Sequence, residues 1–190
     1  MEKVVPKLFF IALFMFMPLL HSSSIEENIE LDQWFQKLDN SKPKLTRFHF
    51  YFHDIIAGPG QTSVIAVPPP KTIKPSTTMF GQVSVFDNPL TKGPELISEL
   101  VGRAQGLYSY ASQEEFSLLQ AMTIVFTGGE NNGSSVTILG RNSMFQSRRE
   151  FPIVGGTGDF RLARGFASAS TYIANVSLAI VEYNVTVIHY

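Results

Sequence analysis

The sequence predicts an all-β domain, either a sandwich or a closed barrel, and three observations carry that reading. About eight short runs rich in β-branched and aromatic residues recur along it, without convincing amphipathic helices between them. Clusters of Gly, Pro, Asn and Asp separate nearly all of these runs. Finally, Phe48-His49-Phe50-Tyr51-Phe52-His53-Asp54-Ile55-Ile56 alternates in the manner of a strand, with Phe48, Phe50, Phe52, Asp54 and Ile56 on one face.

In chain order, the N-terminus reads as a targeting segment. Lys3 and Lys7 precede an apolar run from Leu8 to Leu20, and Ser22, Ser23 and Ser24 follow, so residues 1–24 are expected to be a secretory signal peptide. That run is short for a membrane span. Residues 25–44 form an expected N-terminal arm, acidic and carrying Trp34 and Phe35, with a short helix or an ordered arm as its two readings. The β-domain then occupies residues 45–190. Its expected strands are Leu45–Ile56, Ser63–Val67, Met79–Phe86, Leu100–Ser109, Leu118–Phe126, Ser135–Gly140, Arg164–Tyr172 and Ala179–Tyr190. Turns are expected at Gly58-Pro59-Gly60, Pro68-Pro69-Pro70, Asp87-Asn88-Pro89, the Gly128–Gly133 stretch and Gly155-Gly156-Thr157-Gly158.

Composition narrows the function. The roughly 165 residues after the signal suit one domain that buries a core without staples. Among all 190 residues there is no cysteine, which removes thiolate metal sites and cysteine nucleophiles and leaves stability to packing, sheet closure or oligomerisation. Net charge is −1 and the charges are interspersed, so no basic stripe exists to hold a nucleic acid backbone. Sequons at Asn132, Asn175 and Asn184 fit a secreted glycoprotein. Asn184 falls in an expected strand on the face opposite Tyr183, Val185 and Val187, so it should point outward.

Asp54 is the first site candidate, because a carboxylate in line with three aromatic rings is costly unless paired or used in chemistry. The plainer reading is a cap on the following turn. In Gly102-Arg103-Ala104-Gln105-Gly106-Leu107-Tyr108, one face holds Gly102, Ala104, Gly106 and Tyr108, which reads as a barrel corner, a cavity wall or a tight packing face. Gly155-Gly156-Thr157-Gly158 lacks the Lys-Ser/Thr of a phosphate loop and reads as a tight turn. His49 and His53 lie on the face opposite Asp54, and with His189 they lack the spacing of a metal site, so no metal is expected. Arg148 and Arg149 read either as an exposed basic pair in a loop or as a source of one inward guanidinium that neutralises Asp54 or a phenolate.

Four stretches together carry a family resemblance: Phe50-Tyr51-Phe52-His53-Asp54-Ile55; Asn88-Pro89-Leu90-Thr91; Val101-Gly102-Arg103-Ala104-Gln105-Gly106-Leu107-Tyr108; and Val154-Gly155-Gly156-Thr157-Gly158-Asp159-Phe160 with Ala163-Arg164-Gly165. In this order, from about Leu45 to Tyr190, the chain resembles the plant dirigent proteins. The resemblance implies an eight-stranded antiparallel β-barrel with a central ligand cavity, assembled as a homotrimer and secreted to the apoplast and cell wall. It implies no cofactor and no membrane attachment of the mature form. The implied ligand is a phenolic, phenylpropanoid-derived radical or quinone methide whose coupling or cyclisation is steered stereoselectively. A separate oxidase, a laccase or peroxidase, would supply radicals where they are needed.

The family's catalytic aspartate falls on Asp54, its cavity tyrosines on Tyr108 and Tyr110, and its arginine on Arg149. Phe52, sharing the face of Asp54, is expected to contact substrate. Lignan-forming members carry a second Asp where this chain has Asn142 within Leu139-Gly140-Arg141-Asn142. An amide cannot exchange a proton as a carboxyl does, so the pattern is closer to the subgroup that includes pterocarpan synthases, which dehydrate and cyclise an isoflavanol. The third reading is a non-catalytic wall component that binds phenolics or organises lignin.

Overall fold

The computed structural model describes residues 29–38, 40–71 and 77–190. The expected signal peptide lies outside the described residues, as does the start of the expected arm. The chain divides into two compact units, residues 1–42 and 43–190. In the first, residues 29–38 are helical, and Trp34 meets Phe35 edge-on at 5.2 Å.

The second unit is all-β. Its strands are β1 (Lys44–Ile55), β2 (Ser63–Val67), β3 (Val83–Thr91), β4 (Leu100–Tyr110), β5 (Ser117–Phe126), β6 (Ser135–Ser143), β7 (Arg149–Thr157), β8 (Arg164–Ala174) and β9 (Leu178–His189). They run in the order β1-β9-β8-β7-β6-β5-β4-β3-β2, and β1 also pairs with β3. All pairings are antiparallel. The β1–β3 pairing, Tyr51 with Thr91 and Phe52 with Leu90, closes an eight-stranded barrel and leaves β2 as an extra strand on β3. Closure removes the free edges that an open sheet would present.

Two expected boundaries are corrected. β3 does not span Met79–Phe86; it starts at Val83 and runs through Asp87-Asn88-Pro89, which the sequence marks as a turn. Pro89 is tolerated because it falls between the β3 residues that pair with β2, Val83 to Phe86, and those that pair with β1, Leu90 and Thr91. The second correction is β7, a strand absent from the sequence reading, where Pro152, Gly155 and Gly156 look like breakers. The β6–β7 register shifts between Thr137 and Ile138, and a proline beside such an irregularity is a usual compromise. Gly155, Gly156 and Thr157 thus complete the strand rather than a turn, and the reversal begins at Gly158, with φ of 63°, entering the 3-10 turn Gly158–Phe160.

Parity fills the interior as expected from β1. Phe50 and Phe52 are buried with Met122, Ile124, Val136, Ile138, Phe151, Tyr183, Val185 and Val187. One end is plugged by rings: Phe48 and Phe126 lie 4.5 Å apart, and Phe160 packs against Phe48, Phe126 and His189. Each such buried ring contributes about 1.5–3 kcal/mol relative to exposure. Gly102 and Gly106 belong to a close approach of β4 to β5, since a Cβ at either would overlap a backbone carbonyl oxygen, of Val125 and Ala121 respectively. Of that face, Tyr108 lines the cavity at the other end of the barrel.

Gly106→Ala should therefore destabilise the barrel by about 2 kcal/mol, the scale of overpacking. At Gly155 a Cβ meets nothing within 4 Å, so Gly155→Ala should be nearly neutral. Paired thermal melts of the two variants test whether close strand approach sets the requirement for glycine.

Candidate active site

The cavity occupies the barrel end opposite the ring plug and has a volume of about 490 Å3. That is within the range of pockets for drug-sized ligands. Its walls include all six residues singled out for catalysis or substrate binding: Phe52, Asp54, Tyr108, Tyr110, Asn142 and Arg149. They come from β1, β4, β6 and β7, so only the closed barrel brings them together.

Asp54 points inward and is buried. Its Oδ1 accepts hydrogen bonds from Ser63 Oγ and from Asn88 Nδ2, the latter at 3.1 Å. Burial raises its pKa above the usual 3.8, outweighing the bonds from Ser63, Asn88 and Tyr108 that favour the anion. The carboxyl thus keeps its proton to higher pH than an exposed aspartate. Tyr108 and Tyr110 are raised mainly by burial and further by the Asp54 charge, so both remain neutral donors. Their rings meet edge-on at 6.4 Å, and Phe86 stacks on Tyr108 at 5.7 Å.

Arg149 resolves the two readings of the basic pair. Arg148 is exposed, whereas Arg149 opens β7 and is only 6% exposed. Its Nη1 donates to Met144 O at 3.1 Å and to Thr171 Oγ1 at 2.8 Å, and its buried Nε has no partner. Burial lowers its pKa, while the neighbouring Tyr183 opposes that shift. The carboxyl of Asp54 is held by Ser63, Asn88 and Tyr108, so the guanidinium remains available to an anionic oxygen in the cavity.

Asn142 Nδ2 donates to Gln120 Oε1 at 2.8 Å, and Gln120 Nε2 donates to the Tyr183 hydroxyl at 3.3 Å. Gln120 and Tyr183 are wall residues that the sequence reading did not single out. Strand parity carried the signal for both. Gln120 alternates with Leu118, Met122 and Ile124, a polar residue on an apolar face, and Tyr183 alternates with Val185 and Val187. Ser63 and Asn88 were hidden by the turn assigned around Pro89 and by the short strand β2.

The described histidines do not converge. His53 is buried and bonds Thr91 Oγ1 at 2.6 Å, His49 meets Glu182 at 2.8 Å, and His189 meets Thr46 Oγ1 at 2.9 Å. Among the described residues no cluster of three or more His, Cys, Asp or Glu is placed to hold a metal. The sequon residues lie apart from the cavity walls. Asn132 and Asn175 are exposed in turns, Asn175 accepting from the Ser177 and Leu178 amides through Oδ1, and Asn184 is exposed on β9.

Comparison with known proteins agrees with this geometry. The model of the Dirigent-like protein family matches residues 45–188. Dirigent protein 11 of Arabidopsis thaliana is 49% identical over 79% of this chain and 77% of its own. Pterocarpan synthase 1 of Glycyrrhiza echinata is 50% identical over 77% of this chain and 79% of its own. The solved structure of the pterocarpan synthase dirigent protein GePTS1 superposes with a TM-score of 0.73 at 48% identity, covering 79% of this chain and 87% of that one. A closed eight-stranded barrel with one extra strand, joined to identities near one half across the β-domain, makes this chain a member of the dirigent protein family.

Proposed function

We propose that the protein binds a phenolic, phenylpropanoid-derived intermediate in the barrel cavity and imposes stereochemistry on its coupling or cyclisation. The observation that carries this reading is Asp54, a carboxyl buried in an aromatic-walled cavity, where desolvation raises its pKa. Dirigent family membership supports it. Asp54 acts as acid and then base: it gives its proton to the carbonyl oxygen of a quinone methide and recovers one from the hydroxyl that adds. Tyr108 and Tyr110 hydrogen-bond and stack against the ligand, and Phe52 provides apolar wall. Arg149 is the partner for an anionic phenolic oxygen elsewhere on the ligand, apart from the oxygen that Asp54 protonates.

A second reading has its own support in the near-half identity to pterocarpan synthases and in the amide at Asn142. Here Asp54 protonates the departing hydroxyl of an isoflavanol, water leaves, and a phenolic oxygen of the same molecule closes the ring and returns its proton to the carboxylate. This route needs no oxidase. Chiral product analysis with and without a laccase or peroxidase separates the two: purified protein that converts an isoflavanol alone is a lyase, whereas a coupling director acts only when radicals are supplied.

We place the mature protein outside the cell as a glycosylated homotrimer. Support for assembly is a row of outward apolar residues in register across neighbouring strands: Val64 opposite Val85, Val85 opposite Leu107, Leu107 opposite Ala121 and Ala121 opposite Leu139. Val64, Val85, Leu107 and Leu139 are exposed, and contiguous apolar surface of this kind marks association sites. Support for secretion is the family and the N-terminal segment; for glycosylation, the exposure of Asn132, Asn175 and Asn184.

Three outcomes are expected. Asp54→Asn keeps the acceptor for Ser63 and Asn88 but removes the proton, so stereoselective turnover should fall about 100-fold or more with folding intact. Loss of turnover that merely tracks unfolding contradicts the assignment. Because the folded pKa of Asp54 is raised, the carboxyl costs stability as pH rises from 3.8 through its folded value. Wild type should therefore lose melting temperature relative to Asp54→Asn across that window, and parallel melts against pH check the sign. In light scattering, Val85→Glu should convert the trimer to smaller species; an unchanged mass excludes that row from the interface.

A further inference from the structure

The end of the cavity around Arg149 contains a second polar group that the chemistry at Asp54 does not use. Its centre is Tyr183, 2% exposed, with a ring held by Phe50 at 5.8 Å, Phe151 at 6.2 Å and Phe52 at 5.9 Å. Those three rings prevent the phenol from swinging aside. Gln120, itself buried, fixes what its hydroxyl does. The Gln120 carbonyl accepts from Asn142 Nδ2, which turns the Gln120 amino group toward the Tyr183 oxygen and Met122 Sδ, each at 3.3 Å. Tyr183 therefore accepts through its oxygen and keeps its own proton free to donate. Burial pushes its pKa up to about 12, so that proton stays in place at any physiological pH.

Two further buried atoms beside it lack partners: Asn142 Oδ1, an acceptor, and Arg149 Nε, a donor. Donors and an acceptor together match a hydroxyl, which accepts and donates at once. Asp54 pairs with Ala179 of β9, and Tyr183 lies four residues further along that strand, so the two groups enter the cavity wall at different levels.

We propose that Tyr183, aimed by Gln120, is a specificity-determining donor that binds a hydroxyl of the ligand other than the one Asp54 serves. The inference rests on the phenolic reading of the cavity and names a residue that selects among its ligands. Gln120 is a positioning residue, acting through Tyr183 and Asn142.

The test is binding of an isoflavan with hydroxyls on both rings, which lacks the leaving hydroxyl and cannot react, and of two analogues that each lack the hydroxyl on one ring. Calorimetric titration of wild type should show about tenfold weaker binding for the analogue missing the Tyr183-facing hydroxyl, the scale of one hydrogen bond. Tyr183→Phe, which keeps the ring packing, should bind the dihydroxy probe about tenfold more weakly and that analogue as wild type does. Gln120→Met should reduce the same discrimination, and melts confirm that both variants fold. Tyr183→Phe binding the dihydroxy probe like wild type, or weakening all three probes equally, overturns the inference alone. Wild type that binds none of the probes overturns the phenolic reading and the inference with it.

Discussion

The barrel closes through two residue pairs, Tyr51 with Thr91 and Phe52 with Leu90, and that seam positions both the fold and the candidate site. Next to it on β1, Asp54 enters the cavity while β2 and β3 deliver Ser63 and Asn88 to its carboxyl. On the outer side of β1, His53 bonds Thr91 and Thr91 bonds the Gly93 carbonyl, so the seam is fastened by side chains where the ladder is short. The buried imidazole carries a pKa lowered by burial and serves as a neutral hydrogen-bonding spacer. An unclosed sheet would expose Asp54 to water and return its carboxyl to ordinary behaviour.

Within the closed cavity, polarity is divided. Near Asp54 the groups are a carboxyl whose pKa burial raises and two neutral phenols; near Arg149 they are a guanidinium, an amide pair and Tyr183. Aromatic rings separate the two regions, with Phe52 in contact with both Phe86 and Tyr183. A phenolic held between them has its proton transfers at one end and its charge stabilised at the other. Orientation of the ligand then becomes a property of the wall, which is what stereocontrol of a reactive intermediate requires.

The sequence made the inward face of β1 legible, because Phe48, Phe50 and Phe52 share the parity of Asp54 and no competing signal interrupts them. The same periodicity placed Asn184 outward on β9, where it is exposed. Residues near breakers were harder to read. Pro89 and Pro152 mark loops in most contexts, and here each lies in a strand, at a change of partner or beside a register shift, which a single sequence does not display. Arg149 was undecided for a related reason: with β7 unseen, nothing gave the arginine a face. Gln120 and Tyr183 could have been found by parity alone, but their joint meaning depends on β5 and β9 facing one another across a closed barrel.

Direct titration of Asp54 is the most incisive measurement. The protonated carboxyl has a carbonyl stretch distinct from that of the carboxylate, and the infrared difference between wild type and Asp54→Asn isolates this one group. In the unliganded protein the account predicts a protonated band that persists above pH 3.8, the ordinary aspartate value, and disappears only at higher pH. A midpoint at or below 3.8 would contradict it, because a carboxyl already ionised there has no proton to give in the cavity.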